Sequence, residues 1–375
     1  MAREISPRVV VAPDKFKGSL TARGAAAALA AGIAEVRPDA ELIELPVADG
    51  GDGTVDAFVA AGWERVELTA PGPTGAPGPT AYAMRESIAV VELAAVVGLV
   101  QLPEDKPDPL GASTYGLGVV IAHALARGAA EVIIGLGGSA STDGGAGMLQ
   151  ALGARVLDGA GRELPLGGAA LAEAAEFDRS GLDARVAGTR FTLACDVDNP
   201  LLGPTGAGAV YGPQKGATDD DLVILEAALA NWARLVGPDS AELPGAGAAG
   251  GTGFGALAVL GARVRSGIEV ILDLLDFRGK VEGAALALTG EGSLDAQSLH
   301  GKAPIGVCEV ARAAGVPVVA AAGRTTLDPA EIQAAGFAGC YTLAELEPDT
   351  ARSMAEAEPL LRRVGARIAA EHLAD

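Results

Sequence analysis

Residues 9–36 read Val9-Val10-Val11-Ala12-Pro13-Asp14-Lys15-Phe16-Lys17-Gly18-Ser19-Leu20-Thr21, followed by an alanine-rich run to Val36. A short β-branched run predicts a buried strand, the Pro/Gly segment a loop, and the alanines a helix from about Thr21. Strand, polar loop and helix in that order form the unit of an α/β protein with parallel sheet. The pattern recurs outward from this stretch. Glu41–Leu45 reads as a second strand, with a loop and a helix opening at Thr54, and Glu64–Thr69 as a third. Towards the other end, Ala285–Thr289, Val316–Ala321 and Gly339–Thr342 read as strands separated by helices.

Between these ends the pattern is less regular. Pro71–Pro79 carries Pro and Gly at most positions, cannot be the interior of a strand or helix, and is the predicted domain crossing. Thr80–Met84 with Ile88–Leu93 reads as a hairpin, and Glu131–Gly135 and Phe191–Asp196 as further strands. Thr218, followed by three Asp, starts a long helix to about Val236, because acidic first turns suit the helix dipole. The expected fold is therefore two α/β domains. A Rossmann-like parallel-sheet domain takes residues 1–75 and 285–375, and a second α/β domain, residues 76–284, is inserted into it.

Composition bounds the function. The chain has 375 residues, 49% hydrophobic but only 3% aromatic, so its cores must be aliphatic. A net charge of −20 argues against nucleic acid or an anionic membrane surface as partner. Any small anionic ligand then needs local correction by Lys, Arg, backbone N–H groups or a metal ion. Three distant cysteines, Cys195, Cys308 and Cys340, do not form a disulfide framework. With no signal-peptide pattern and no apolar run of ~18 residues, the expectation is a soluble, cytoplasmic protein.

Six segments combine glycine with polar or charged residues where strands should end: Pro13–Ser19, Ala48–Thr54, Gly137–Gly145, Asp196–Pro200, Gly250–Gly255, and Thr289–Ser293 continuing to Lys302. Glycine lets backbone N–H groups approach an anion, and a following helix N-terminus adds positive potential. Four of the six lysines (Lys15, Lys17, Lys215 and Lys302) lie in or beside these segments. Each suits a phosphate oxygen, against the plainer role of a solvated charge. A single Gly-rich turn is more often only a turn; six with charge attached call for a chemical reason.

Known nucleotide motifs mostly fail. No Walker-type loop occurs. Gly135–Ala140 matches G-x-G-x-x-A after a strand, with Asp158 placed for a ribose contact, but Ser141–Gly145 prolongs the loop where a dinucleotide fold should be helical. Nucleophilic catalysis and zinc lack support. His123 lies in an apolar helix and His372 in the tail, which leaves His300 beside Gly301-Lys302 as the functional candidate.

Taken together, APDKFKGSLT (Ala12–Thr21), ADGGDGT (Ala48–Thr54), GLGGSASTDGGAG (Gly135–Gly147), ACDVDNPLL (Ala194–Leu202), YGPQKGA (Tyr211–Ala217), GAAGGTGFG (Gly247–Gly255) and TGEGSLDAQSLHGK (Thr289–Lys302) resemble the type I glycerate kinases over nearly the whole chain. The resemblance implies ATP, Mg2+ and D-glycerate, two α/β domains, and an active site in the cleft between them. Its bacterial members are associated with 2-phosphoglycerate, while kinases of the same name make the 3-phosphate.

For that chemistry, phosphoryl transfer needs positioning, charge neutralisation and a group for the hydroxyl proton. Lys15 and Lys17, with Asp14 beside them and Lys302 in the last segment, are expected at phosphate oxygens or the glycerate carboxylate. Asp49 and Asp52 are the candidates for magnesium, one of them alternatively capping the helix at Thr54. Ser139, Ser141 and Thr142 would donate to substrate or phosphate, and Gly251 and Gly253 would offer N–H groups to the nucleotide. Asp196 is the first choice as base and Asp295 the second. Two other readings compete: a nicotinamide-dependent dehydrogenase of a small hydroxy acid, resting on Gly135–Ala140, and a non-catalytic binder of small organic acids.

Overall fold

The computed structural model describes residues 6–102, 106–299 and 302–373. Thirteen strands occur among them: β1 (Arg8–Pro13), β2 (Glu41–Glu44), β3 (Glu64–Pro71), β4 (Pro77–Arg85), β5 (Ile88–Glu92), β6 (Glu131–Gly135), β7 (Arg155–Leu157), β8 (Glu176–Asp178), β9 (Arg190–Ala194), β10 (Arg263–Arg265), β11 (Leu286–Leu294), β12 (Val318–Thr325) and β13 (Gly339–Thr342). They belong to two compact α/β units. The first takes residues 1–49, 56–62 and 268–375, and the second residues 50–55 and 63–267.

The first unit is built on a five-stranded sheet in the order β13-β12-β11-β1-β2, every pairing parallel. Strand alternation sends Val9, Val11, Leu286 and Leu288 to one face, where Leu29 and Ile33 of helix Ala22–Val36 and Leu361 and Ile368 of helix Ala357–His372 cover them. Each such aliphatic side chain contributes about 1.5–3 kcal/mol by leaving water. Helix Ala22–Val36 starts where the sequence predicts, because the Thr21 hydroxyl accepts from the Gly24 N–H.

One expected loop is a strand. Thr289–Ser293 lies inside β11, which pairs with β12 from Ala287 to Leu294. Its glycines serve strand packing: a Cβ on Gly290 would collide with the Ala321 carbonyl. Thr289 and Glu291 therefore point to one face of a continuous strand.

The second unit holds a six-stranded sheet in the order β10-β9-β6-β5-β4-β3. Strands β5, β6, β9 and β10 run parallel, while β3 and β4 add antiparallel pairings at one edge. The Pro71–Pro79 stretch is a hairpin here and not a domain crossing. β3 and β4 pair without a break from Glu64↔Met84 to Pro71↔Pro77, which ties β3 to the second unit. Prolines are tolerated because β5 pairs with β4 only over Ala83–Arg85, leaving the Pro77–Pro79 end with a single neighbour. The return to the first unit also comes earlier than residue 285, at Ile268. Ile268 lies buried against Gly306, and Ile271 and Leu272 are buried with it.

Helix Asp219–Val236 follows its sequence signal closely. Thr218 and Asp221 form a reciprocal capping box, and Leu225, Leu229 and Trp232 are buried along one face. The three cysteines are unbridged. Among the described residues no helix is long and apolar enough to cross a membrane.

Candidate functional site

In the first unit, chemistry gathers at the carboxyl ends of β1 and β11. Asp14 follows β1 directly and is nearly buried, at 9% exposure; its N–H donates to the Gly290 carbonyl (2.8 Å). Its Oδ1 accepts from the Lys15 N–H at 2.6 Å. Phe16 is buried, and the bonds Phe16 N–H to Leu20 O and Ser19 N–H to Phe16 O close the loop around it. That anchor places Lys15 half-buried on one side and Lys17 exposed on the other.

Burial, with the Asp49 carboxylate next in weight, raises the Asp14 carboxyl to about 7, against the opposing Lys15 N–H and charge. Glu291 on β11 is raised too, first by burial, with Asp295 and Asp49 adding and Ser298 and Lys302 opposing. Among the described residues its Oε1 is buried without a hydrogen-bond partner, as is the Thr289 hydroxyl two residues earlier on the same strand face. A carboxylate oxygen shut away without a donor suits a cation or a ligand hydroxyl.

Asp295 is occupied locally: its Oδ1 accepts from Gln297 N–H (2.9 Å) and Ser298 N–H (3.3 Å), forming a turn. Lys302 is half-buried at the N-cap of helix Ala303–Ala313. His300 and Gly301 lie outside the described residues.

In the second unit, loops follow the parallel ends of β5, β6 and β9, and residues 50–55 join them. Asp52 is exposed. The helix opening at Thr54 is held by Glu92 and by its own first residue. Glu92, buried at the end of β5, accepts from Gly53 N–H (3.2 Å) and Val55 N–H (3.1 Å), while the Thr54 hydroxyl donates to Gly51 O.

The Gly137–Gly145 loop is almost entirely inside the protein. Ser139, Ser141, Thr142 and Asp143 are buried. The Ser139 and Ser141 hydroxyls bond each other (3.2 Å), and Ser139 Oγ also accepts from the Ser141 N–H (3.1 Å). The Thr142 hydroxyl is buried and has no hydrogen-bond partner among the described residues. Asp143 accepts from Thr114 N–H (2.7 Å), Thr114 Oγ1 (2.8 Å), Ser113 Oγ, Gly147 N–H and Gly145 N–H (each 3.2 Å). Burial pushes its carboxyl up, and those donors pull against the shift. Lys215, 2% exposed, donates from Nζ to the Ser141 carbonyl. Its ammonium is pulled down to about 7 by burial, opposed by the nearby Asp143 charge.

Gly251 and Gly253 have a packing role. Both are buried, and the Gly251 N–H donates to Gly247 O (3.3 Å). Ala249, Gly250 and Gly251 are left-handed in succession, which turns the chain so that the Gly250 carbonyl accepts from the Gly144 N–H (3.0 Å). The Gly250 carbonyl thus supports the neighbouring loop, while the Gly251 N–H is taken up within its own segment. Asp196 is exposed just past β9, and its Oδ1 accepts from the Gly267 N–H at 2.9 Å.

The dinucleotide fingerprint is not built. After β6 the chain stays irregular to Gly145, with helix only from Ala146, and Asp158 binds Arg162 in a surface turn. Among the described residues no three His, Cys, Asp or Glu side chains gather as a metal cage. The carboxylates present fit a magnesium ion that takes its remaining ligands from water and phosphate oxygens. Asp14 and Lys15 were legible as candidates. Glu291, Glu92 and Asp143 were not singled out, although each is an acid ending, interrupting or following an otherwise apolar or glycine-rich segment.

Comparison with known proteins adds to this geometry. The model of the glycerate kinase family matches residues 9–373. A glycerate kinase of Bacillus subtilis (strain 168) is 44% identical over 343 residues, 90% of each chain. A glycerate 2-kinase of Escherichia coli (strain K12) is 42% identical over 344 residues, again 90% of each. A crystal structure from Salmonella typhimurium LT2, described as a candidate glycerate kinase 2, superposes with a TM-score of 0.86 at 40% identity, covering 98% of both chains.

Proposed function

The chain belongs to the glycerate kinase family, and on that premise we propose that it transfers the γ-phosphate of ATP to the 2-hydroxyl of D-glycerate. The observation that carries the position of transfer is its 42% identity, over 90% of both chains, to a protein named glycerate 2-kinase. The test is pyruvate formation from D-glycerate, ATP and Mg2+ through enolase and pyruvate kinase. Signal without phosphoglycerate mutase supports the 2-kinase. Signal only with mutase makes the enzyme a 3-kinase, and no signal from folded protein removes glycerate as substrate.

In this reading Lys15, Lys17 and Lys302 neutralise phosphate or carboxylate oxygens, since all three flank the carboxylate-rich end of the first sheet. Asp49 and Asp52 would hold Mg2+, and Glu291 Oε1, which has no hydrogen-bond partner among the described residues, is a further oxygen suited to it. When bound, the ion would neutralise charge on the transferring phosphoryl group. Ser139, through the loop that continues into Ser141 and Thr142, orients the substrate.

The proton-accepting role moves from Asp196 and Asp295 to Asp14. All three carboxylates accept from backbone N–H groups, but Asp196 is exposed and Asp295 half-buried in a turn, whereas Asp14 is buried. Asp14 is raised to about 7, near a working pH, as a base needs. Asp14→Asn is expected to lower kcat at least ~100-fold with the ATP Kd within a few-fold of wild type. A kcat within tenfold of wild type excludes Asp14 as the base.

A further inference from the structure

Lys215 is a buried cation for which the proposed reaction has no stated use. Its Nζ donates to one backbone oxygen, the Ser141 carbonyl. A Cβ on Gly250 would stand 2.0 Å from the Ser141 carbonyl oxygen and 2.7 Å from that Nζ, so the glycine leaves room for this bond. On the other side lies Asp143, whose donors come from Ser113 and Thr114 as well as from its own loop.

Three distant parts of the second unit thus converge on one loop: residues 113–114, residue 215 and residues 249–251. Each touches backbone or carboxylate of residues 141–145, and none donates to the Ser139 hydroxyl. This is the wiring of a loop whose shape is fixed from behind, and a buried amine is costly for a fold that needs only apolar packing there.

We propose that Lys215 and Asp143 are positioning residues for phosphoryl transfer, holding the backbone of Gly137–Gly145 in the shape that presents Ser139 to substrate. The inference rests on the reading that this loop contacts glycerate or ATP. The device works by fixing two ends. Lys215 ties the Ser141 carbonyl, and Asp143 ties the following turn to residues 113–114. Small errors in a loop placed this way are felt at the reacting atoms.

The test is Lys215→Met, which keeps length and removes the charge, with steady-state kinetics for both substrates and amide hydrogen exchange of residues 137–145. Because Asp143 then keeps its five donors but loses the nearby positive charge, Lys215→Met/Asp143→Asn is made in parallel. The Asn carbonyl can still accept the Ser113, Thr114 and Gly147 donors, only the Gly145 N–H loses its acceptor, and no charge is left behind. Expected is a folded protein with kcat/KM lowered at least tenfold and KM raised for one substrate only. Exchange should quicken in 137–145 and stay unchanged in the first unit.

Unchanged kinetics with unchanged exchange overturns the role of Lys215 itself. Quickened exchange with unchanged kinetics, together with a fully active Ser139→Ala, overturns the proposal through the loop reading. Quickened exchange throughout the second unit reduces Lys215 to a structural residue and overturns it as well.

Discussion

The two units hold buried charge in opposite ways. At the end of the first sheet, Asp14, Asp49 and Glu291 lie within electrostatic reach of one another, and Glu291 Oε1 has no donor among the described residues. In the second unit the Asp143 carboxylate receives five hydrogen bonds and sits beside a buried lysine. The first arrangement is electrostatically incomplete and is suited to a ligand that brings positive charge or a hydroxyl. The second is complete within the protein and is suited to holding a backbone still. Buried charge therefore does not mark one kind of role; the surrounding partners decide which role it has.

The contrast is tested most strongly by removing the saturated carboxylate. Asp143→Ala leaves five donors without their acceptor and takes the compensating charge away from the nearby Lys215, and it should destabilise the fold by about 3–5 kcal/mol. Denaturant midpoints measure this, and a loss under about 1 kcal/mol would mean that the loop does not depend on Asp143. Asp14→Asn should act in the opposite direction at pH 8, raising stability, because it removes repulsion from Asp49 and Glu291.

Stability against pH separates the units further. Asp14, at 3.8 when unfolded and about 7 when folded, holds its proton more tightly in the fold. The stability it contributes is complete below pH 3.8 and is lost as pH rises towards 7, by up to about 1.4 kcal/mol per pH unit. Lys215 falls from 10.5 to about 7, so the unfolded chain binds the extra proton between those values. Stability from this group rises with pH across that window and is lost as pH falls through 7. Asp14→Asn should flatten the first slope and Lys215→Met the second, each read from thermal or urea unfolding across pH. Slopes that survive both substitutions would assign the titration to other groups.

The smallest expected effect is at Asp196. Asn can still accept from the Gly267 N–H, so Asp196→Asn should change stability by less than about 1 kcal/mol and turnover less than tenfold. A collapse of turnover there, with Asp14→Asn mild, would invert the assignment of the base.

Much of the framework was legible because its signals are local. Val9–Ala12, Glu131–Gly135 and Gly339–Thr342 read as strands from β-branched and apolar runs, and Thr218 with its three aspartates marked a helix start that Asp221 completes. The misreadings were also instructive. Pro71–Pro79 looked like a boundary because proline breaks most strands, and only the missing neighbour on one side of β4 explains why it is a hairpin. Thr289–Ser293 looked like a loop because glycine usually marks one, whereas Gly290 is there to let β12 approach.

The sequence by itself determined the alternation of strands and helices, the glycine-rich segments and the family those segments resemble, since each depends on residues close together in the chain. Tertiary structure alone decided that Glu92 caps a helix 37 residues earlier and that Lys215 reaches a carbonyl 74 residues away. It likewise decided that Asp14 holds a proton near pH 7 while Asp196 stands in solvent. The reason is that desolvation and Coulomb energy depend on which atoms surround a group, and those atoms come from distant parts of the chain.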